Sequence, residues 1–140
     1  MDVVFLDANV LFSAAYRPTA GLRRLWNVPS IRLITSGYTV VETYRNLATP
    51  QQRDDLATLL RMVAVISTAA PVEHPLLATV PLPTKDRPVL LAAIHANATH
   101  LLTGDRRHFG AYYEQRIAGV LILPPAAYLQ AIHERAHEER

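Results

Sequence analysis

Short, apolar runs separated by helical patterns are the feature that most restricts how this 140-residue chain can fold. The runs are Val3 to Leu6, Ile31 to Thr35, Val63 to Ser67, Leu101 to Thr103 and Val120 to Leu123, rich in β-branched residues or leucine. A strand with one face in water alternates apolar and polar residues, whereas a strand covered on both faces does not. The runs therefore predict a parallel sheet with helices on both faces. Asn9 is placed to cap a helix through Val10, Leu11 and Ala14, and a second helix is expected after Pro18 through Leu22, Leu25 and Trp26. Ser36 caps a helix from Gly37 to about Ala48, with Tyr38, Val41, Glu42 and Arg45 at the spacing of one face. Thr49-Pro50 opens another, with Leu56, Leu59, Leu60 and Val63 on its apolar side. Asp86-Arg87-Pro88 repeats the cap-and-proline signal ahead of an alanine-rich helix, Val89 to Asn97. Pro124-Pro125 opens the last helix, which ends in the polar tail His133 to Arg140. Between Ala70 and Thr84, four prolines predict a connector with room for one helical turn.

Composition limits the alternatives. With 50% hydrophobic and 19% charged residues the chain has the makeup of one globular domain, spanning 1–140, whose core needs no disulfide. It contains no cysteine, which excludes thiolate metal sites and cysteine nucleophiles and makes a cytoplasmic location the default expectation. Asp2 and a four-residue apolar run do not make an export signal, and no apolar stretch approaches the roughly 20 residues that cross a bilayer. The net charge of +2 is unremarkable. Of 14 basic residues all but Lys85 are arginine, a bias that suits phosphate contacts but also follows from genomic base composition.

In an open parallel sheet, ligands bind beyond the carboxyl ends of the strands, so the polar residues just after each run carry the candidate chemistry. Asp7 follows the first run directly, and Asp105 follows Leu101-Leu102 through Thr103-Gly104. Each also has the position of a helix cap. Glu42 has the apolar neighbours Val40, Val41 and Tyr44, where a carboxylate is costly unless paired or bound to a cation. A helical ion pair with Arg45 is the alternative. Asp86 is explained equally well as a cap. Together, four carboxylates brought to one end of the sheet would raise one another's pKa unless a divalent cation neutralised them, and oxygen-only ligands point to Mg2+ or Mn2+.

Leu6-Asp7-Ala8-Asn9-Val10, Val40-Val41-Glu42-Thr43, Asp86-Arg87-Pro88-Val89-Leu90-Leu91-Ala92-Ala93 and Leu102-Thr103-Gly104-Asp105 occur in an order and spacing that resemble the PIN-domain ribonucleases, the family that includes the VapC-type toxins. The resemblance implies a three-layer α/β/α domain with a central parallel sheet of about five strands, and a Mg2+- or Mn2+-dependent endoribonuclease. It also implies frequent homodimerisation and a small antitoxin partner. By position, Asp7, Glu42, Asp86 and Asp105 would be the catalytic metal-holding acids, supported by Asn9 and Thr103. Metal held there lowers the pKa of bound water and neutralises charge on the scissile phosphate. Arg87, Arg106, Arg107 and His108 lie beside these acids and are candidates for RNA backbone contacts. If the four acids are occupied by metal, the other 8 are outweighed by the 14 basic residues.

Two rivals remain on the residues alone. A non-catalytic PIN-like interaction module would use the acids as caps and ion pairs. A Mg2+-dependent phosphatase would want a second Asp two residues after Asp7, where Asn9 stands. His95 and His100 read as structural, and His133 with His137 as a polar helical face without a third ligand. Trp26, with Leu22 and Leu25, is expected to pack in the core or to anchor a helix at a partner surface.

Overall fold

The structure, a computed structural model, describes residues 1–67 and 74–138. The first part of the proline-rich connector expected over Ala70 to Thr84 and the end of the polar tail lie outside the described residues. Strands β1 (Asp2–Leu6), β2 (Ile31–Ser36), β3 (Ala64–Ile66), β4 (His100–Leu102), β5 (Arg116–Ile117) and β6 (Val120–Leu123) form one sheet in the order β3-β2-β1-β4-β6-β5. The five strands expected from sequence are mutually parallel, and β5 adds a two-residue antiparallel edge beside β6. Ala118 and Gly119 turn the chain between these two, with φ of 50° and 85°. That left-handed pair matches the twist of a tight hairpin and favours glycine at its second position.

The absence of alternation in the strands has the cause predicted for it. Val4 and Leu6 of β1 enter one apolar cluster with Val10, Leu11, Leu25, Leu56 and Tyr128, while Phe5 enters the opposite cluster with Leu90, Ala93, Phe109 and Ile122. Leu33 and Ile34 of β2, and Leu102 and Leu101 of β4, divide the same way. Helices α1 (Ala8–Tyr16), α3 (Pro50–Leu60) and α6 (Pro125–Glu138) supply the first face, and α4 (Arg87–His95) and α5 (Arg106–Phe109) the second.

Local chemistry sets the helix boundaries. Helix α2 (Gly37–Asn46) starts at a reciprocal capping box between Ser36 and Thr39, and α3 at one between Thr49 and Gln52 followed by Pro50. Asp7, two residues before Asn9, caps α1. The segment after Pro18 is a 3-10 helix, Gly21–Asn27, in which Leu25 is buried and Trp26 packs at the edge of the core while its Nε1 donates to the Leu59 carbonyl at 3.0 Å. The expected face of α2 is corrected: Thr39 and Thr43 are buried, and Val41 is 51% exposed. Their hydroxyls donate to the Ser36 and Thr39 carbonyls at 2.8 and 2.7 Å. Satisfied within their own helix, these small polar side chains let α2 pack closely on α1.

At the amino ends of the strands, Tyr128 of α6 donates its hydroxyl to Asp2 Oδ2 at 2.7 Å, and Arg135 approaches the same oxygen at 3.3 Å. Burial pulls the Asp2 carboxyl upward, but the Tyr128 hydroxyl and the positive side of His100 and Arg135 outweigh it and leave its pKa lowered. His100 packs edge-on against Tyr128 at 4.9 Å, a structural position as expected, and burial lowers its pKa. This clasp joins α6 to β1 far from the carboxyl ends of the strands. Tyr128→Phe is expected to destabilise the fold by about 1–2 kcal/mol in urea unfolding, and an unchanged midpoint would show that the clasp contributes nothing.

Candidate functional site

From β1 the chain moves outward to β2 and β3, then returns to place β4 and β6 on the other side. The switch in direction falls between β1 and β4, where doubly wound sheets open a crevice at their carboxyl ends. Asp7 leaves β1 at that point, and Thr103-Gly104-Asp105 leave β4 beside it, Leu6 being paired with Leu102 in the register. Glu42 comes from α2 and Asp86 from the residue before α4. All four acids line one cleft of about 550 Å³, together with Ala8, Asn9, Phe12, Asn46, Lys85 and Gly104.

Asp7 is only 5% exposed, and its two oxygens have different partners. Oδ1 accepts from the Ala8 amide at 2.8 Å, which caps α1, while Oδ2 accepts from the Thr103 hydroxyl at 2.8 Å and the Asn9 amide at 3.2 Å. The fully buried Thr103 hydroxyl in turn accepts from the Asp105 amide at 3.1 Å. Asn9 Oδ1 accepts from the Gly104 amide at 2.7 Å, so Asn9 bridges the ends of β1 and β4. A Cβ on Gly104 would stand 3.3 Å from that Asn9 oxygen, a tight approach that a larger residue would relieve only by shifting Asn9. Tyr113 fixes the other side of the turn by donating to the Thr103 carbonyl at 2.8 Å. Asn9 and Thr103 thus fix the Asp7 carboxylate and the turn that carries Asp105.

The cap explanation holds in part. Asp105 Oδ1 caps α5 through the His108 amide at 3.1 Å, but Asp86 makes no capping hydrogen bond although it precedes α4. Its carboxylate is turned to His108, whose Nδ1 lies 2.9 Å from both Asp86 Oδ2 and Asp105 Oδ2. Both are ion-pair contacts, and neither Asp86 Oδ2 nor His108 Nδ1, both buried, makes an aligned hydrogen bond. Among the described residues no ion pair joins Glu42 to Arg45. Glu42 instead sits half-buried at the cleft wall.

Burial dominates the electrostatics. It raises the Asp7 pKa to about 6 against the lowering effect of Thr103 and Ala8, with Glu42 and Asp86 adding repulsion. Asp86 is raised by burial too, opposed by Lys85 and His108. Tyr38, whose hydroxyl donates to the Lys85 carbonyl at 2.7 Å, is raised by burial and by Glu42 and Asp86. The donor set fits a divalent cation: ligand atoms of Asp86, Asp105 and His108 lie within 4.8 Å of one another, and Asp86 Oδ2 is buried without a hydrogen bond; Asp7 and Glu42 line the same cleft outside that group.

The expected phosphate contacts are dispersed. Arg87 donates Nε to the Leu82 carbonyl at 3.1 Å and braces the connector. Arg106 and Arg107 are exposed, and Arg106 lines a groove that adjoins the cleft through Asn9 and Gly104. The cation that does line the cleft is Lys85, which sequence reasoning passed over although it is the only lysine and precedes Asp86. His133 and His137 lie on the exposed face of α6, their Nε2 atoms 3.1 Å apart, at the other end of the molecule's sequence and outside this cleft.

The PIN domain family matches residues 3–107, and the chain belongs to that family. Its fold is similar to that of VapBC2 from Rickettsia felis, solved with a DNA fragment from its promoter: TM-score 0.66, 15% identity, covering 87% of this chain and 98% of that one. VapC20 from Mycobacterium tuberculosis, described as a sarcin-ricin loop cleaving toxin, is similar at TM-score 0.55 and 17% identity over 77% and 93% of the two chains. VapBC-1 from nontypeable Haemophilus influenzae is similar at TM-score 0.55 and 15% identity over 89% and 98%. No curated protein matches the chain in sequence.

The raised pKa of Asp7 has a consequence for stability. Below about pH 4 the carboxyl is protonated folded or unfolded, and burial carries no ionic cost. As pH rises through about 6 the folded chain must ionise it, and stability is lost. Without added metal, Asp7→Asn should therefore be more stable than the parent at pH 7.5, by an amount on the order of 2–3 kcal/mol, and the gain should vanish near pH 4. Thermal unfolding across pH measures it; a variant less stable at pH 7.5 would contradict the assignment.

Proposed function

We propose that this chain is a metal-dependent endoribonuclease, a single PIN-like nuclease domain over 1–140 acting in the cytoplasm as the toxin of a toxin–antitoxin pair. The observation that carries the reading is the meeting of Asp7, Glu42, Asp86 and Asp105, from four separate elements, in one cleft at the switch point of the sheet. Membership of the PIN family and a fold shared with VapC toxins support it. Similarity to two VapBC complexes supports a small antitoxin partner, and a homodimer belongs to the same reading.

Asp7, Asp86 and Asp105, with Glu42 at the cleft wall, would hold one or more Mg2+ or Mn2+ ions. Such an ion supplies an acidified water and neutralises charge on the scissile phosphate. Thr103 and the Ala8 amide fix the Asp7 carboxylate so that both oxygens keep their direction, and Asn9 keeps the two strand ends together. Lys85 offers its charge to a phosphate oxygen entering the cleft, with Arg106 and Arg107 outside it for neighbouring phosphates. Arg87 stays close to the acids but is tied by its Nε to the connector. No protein nucleophile is required.

The rival interaction module draws on the caps made by Asp7 and Asp105. The two readings separate on purified protein with RNA and Mn2+. Asp7→Asn and Asp105→Asn should each lower cleavage more than about 100-fold while circular dichroism shows the fold intact; undiminished cleavage in folded variants would remove these acids from the mechanism. Lys85→Ala should raise KM severalfold with kcat nearly unchanged and flatten the salt dependence of RNA binding. An equal loss in kcat would mean that Lys85 acts on the reacting phosphate itself.

A further inference from the structure

His108 stands where a solvated surface histidine would not. It is the third residue of the short helix α5, whose start is set by Asp105, and that turn brings its imidazole back over the carboxylate that caps the helix. On the other side α4 begins at Asp86, a residue only 8% exposed whose side chain declines the cap of its own helix. The imidazole Nδ1 lies between the two acids, 2.9 Å from an oxygen of each. Both contacts are at ion-pair distance, yet neither Asp86 Oδ2 nor His108 Nδ1 makes an aligned hydrogen bond. Buried polar atoms left this way are rare and costly.

Spacing of this kind, ordinary for an ion pair, is also that of neighbouring ligands on one ion. Two donors each roughly 2.0–2.1 Å from an octahedral cation are about 2.9 Å apart along the edge of the octahedron. We infer that His108 is a metal ligand, supplying imidazole Nδ1 beside the carboxylates of Asp86 and Asp105. The inference rests on the metal site proposed above and extends it with a nitrogen donor, which replaces the phosphate contact expected for this residue from sequence. Lone pair and ion then take the place of the misaligned N–H approaches.

A nitrogen donor has a chemical consequence. Mg2+ prefers an all-oxygen octahedron, whereas Mn2+ and the later divalent transition metals accept imidazole more readily. The site should therefore select Mn2+ over Mg2+, and His108 should be the cause of the preference.

The experiment uses the full chain without RNA, so it does not depend on turnover. Pulsed electron paramagnetic resonance of protein holding less than one equivalent of Mn2+ reads nitrogen nuclei bound directly to the ion, and calorimetry gives Mn2+ and Mg2+ affinities for the parent, His108→Ala and His108→Gln. The expected result is a directly bound nitrogen in the parent that is lost in His108→Ala. Mn2+ affinity should fall at least about tenfold and Mg2+ affinity less than threefold. Mn2+ bound without a nitrogen signal, or a signal that persists in His108→Ala, overturns the role of His108 and leaves the carboxylate site standing. No Mn2+ binding by the parent overturns both. If the alanine variant does not fold, the parent spectrum and His108→Gln decide the question.

Discussion

One buried carboxylate, with Asn9 beside it, ties together the ends of the paired strands β1 and β4. Asp7 gives one oxygen to the start of α1 and the other to Thr103 and Asn9, so the first helix, the switch point of the sheet and the turn carrying Asp105 share a single anchor. An aspartate so enclosed is a poor choice for stability alone, because ionising it at neutral pH works against folding. An asparagine there would keep the cap without the charge, at the cost of turning its NH2 toward the Asn9 and Thr103 donors. The presence of aspartate, with Glu42, Asp86 and Asp105 facing the same space, fits a group whose charge is used by a bound cation.

Charge is distributed to match. The acids are gathered in one cleft, and the basic residues are spread around it, with Lys85 at the wall and Arg106 in the adjoining groove. A uniformly positive cleft would hold a polyanion but repel the cation. A uniformly negative one would hold the cation and repel RNA until the ion had bound. On the proposed reading, metal binding would be a condition for substrate binding, since a phosphate would approach the acids favourably only after their charge is neutralised.

The sheet was legible because burial on both faces removes alternation from a strand, and each of the five apolar runs became a parallel strand. The antiparallel β5 was not legible: two residues, one of them Arg116, leave no pattern. The first cap falls to Asp7 because the helix starts directly after the strand, leaving Asn9 inside α1 and free to join the strand ends. The buried face of α2 was misread because hydropathy ranks Val41 above threonine, while Thr39 and Thr43 satisfy their hydroxyls inside the helix. That the four acids line one cleft followed from their positions: Asp7 and Asp105 after strands, Asp86 before a helix and Glu42 within the helix that follows β2. Lys85 was invisible to the same reasoning because a single exposed lysine carries no periodicity, and the placement of His108 depends on the turn of α5 over Asp105 and the unused cap at Asp86.

Locating a divalent cation among the carboxylates of this cleft is the decisive measurement. Crystals grown with Mn2+ should give an anomalous difference peak inside the cleft, in contact with Asp7, Asp86 or Asp105. A peak confined to another place, such as the exposed His133 and His137 pair on α6, or no peak in crystals saturated with Mn2+, would contradict the account.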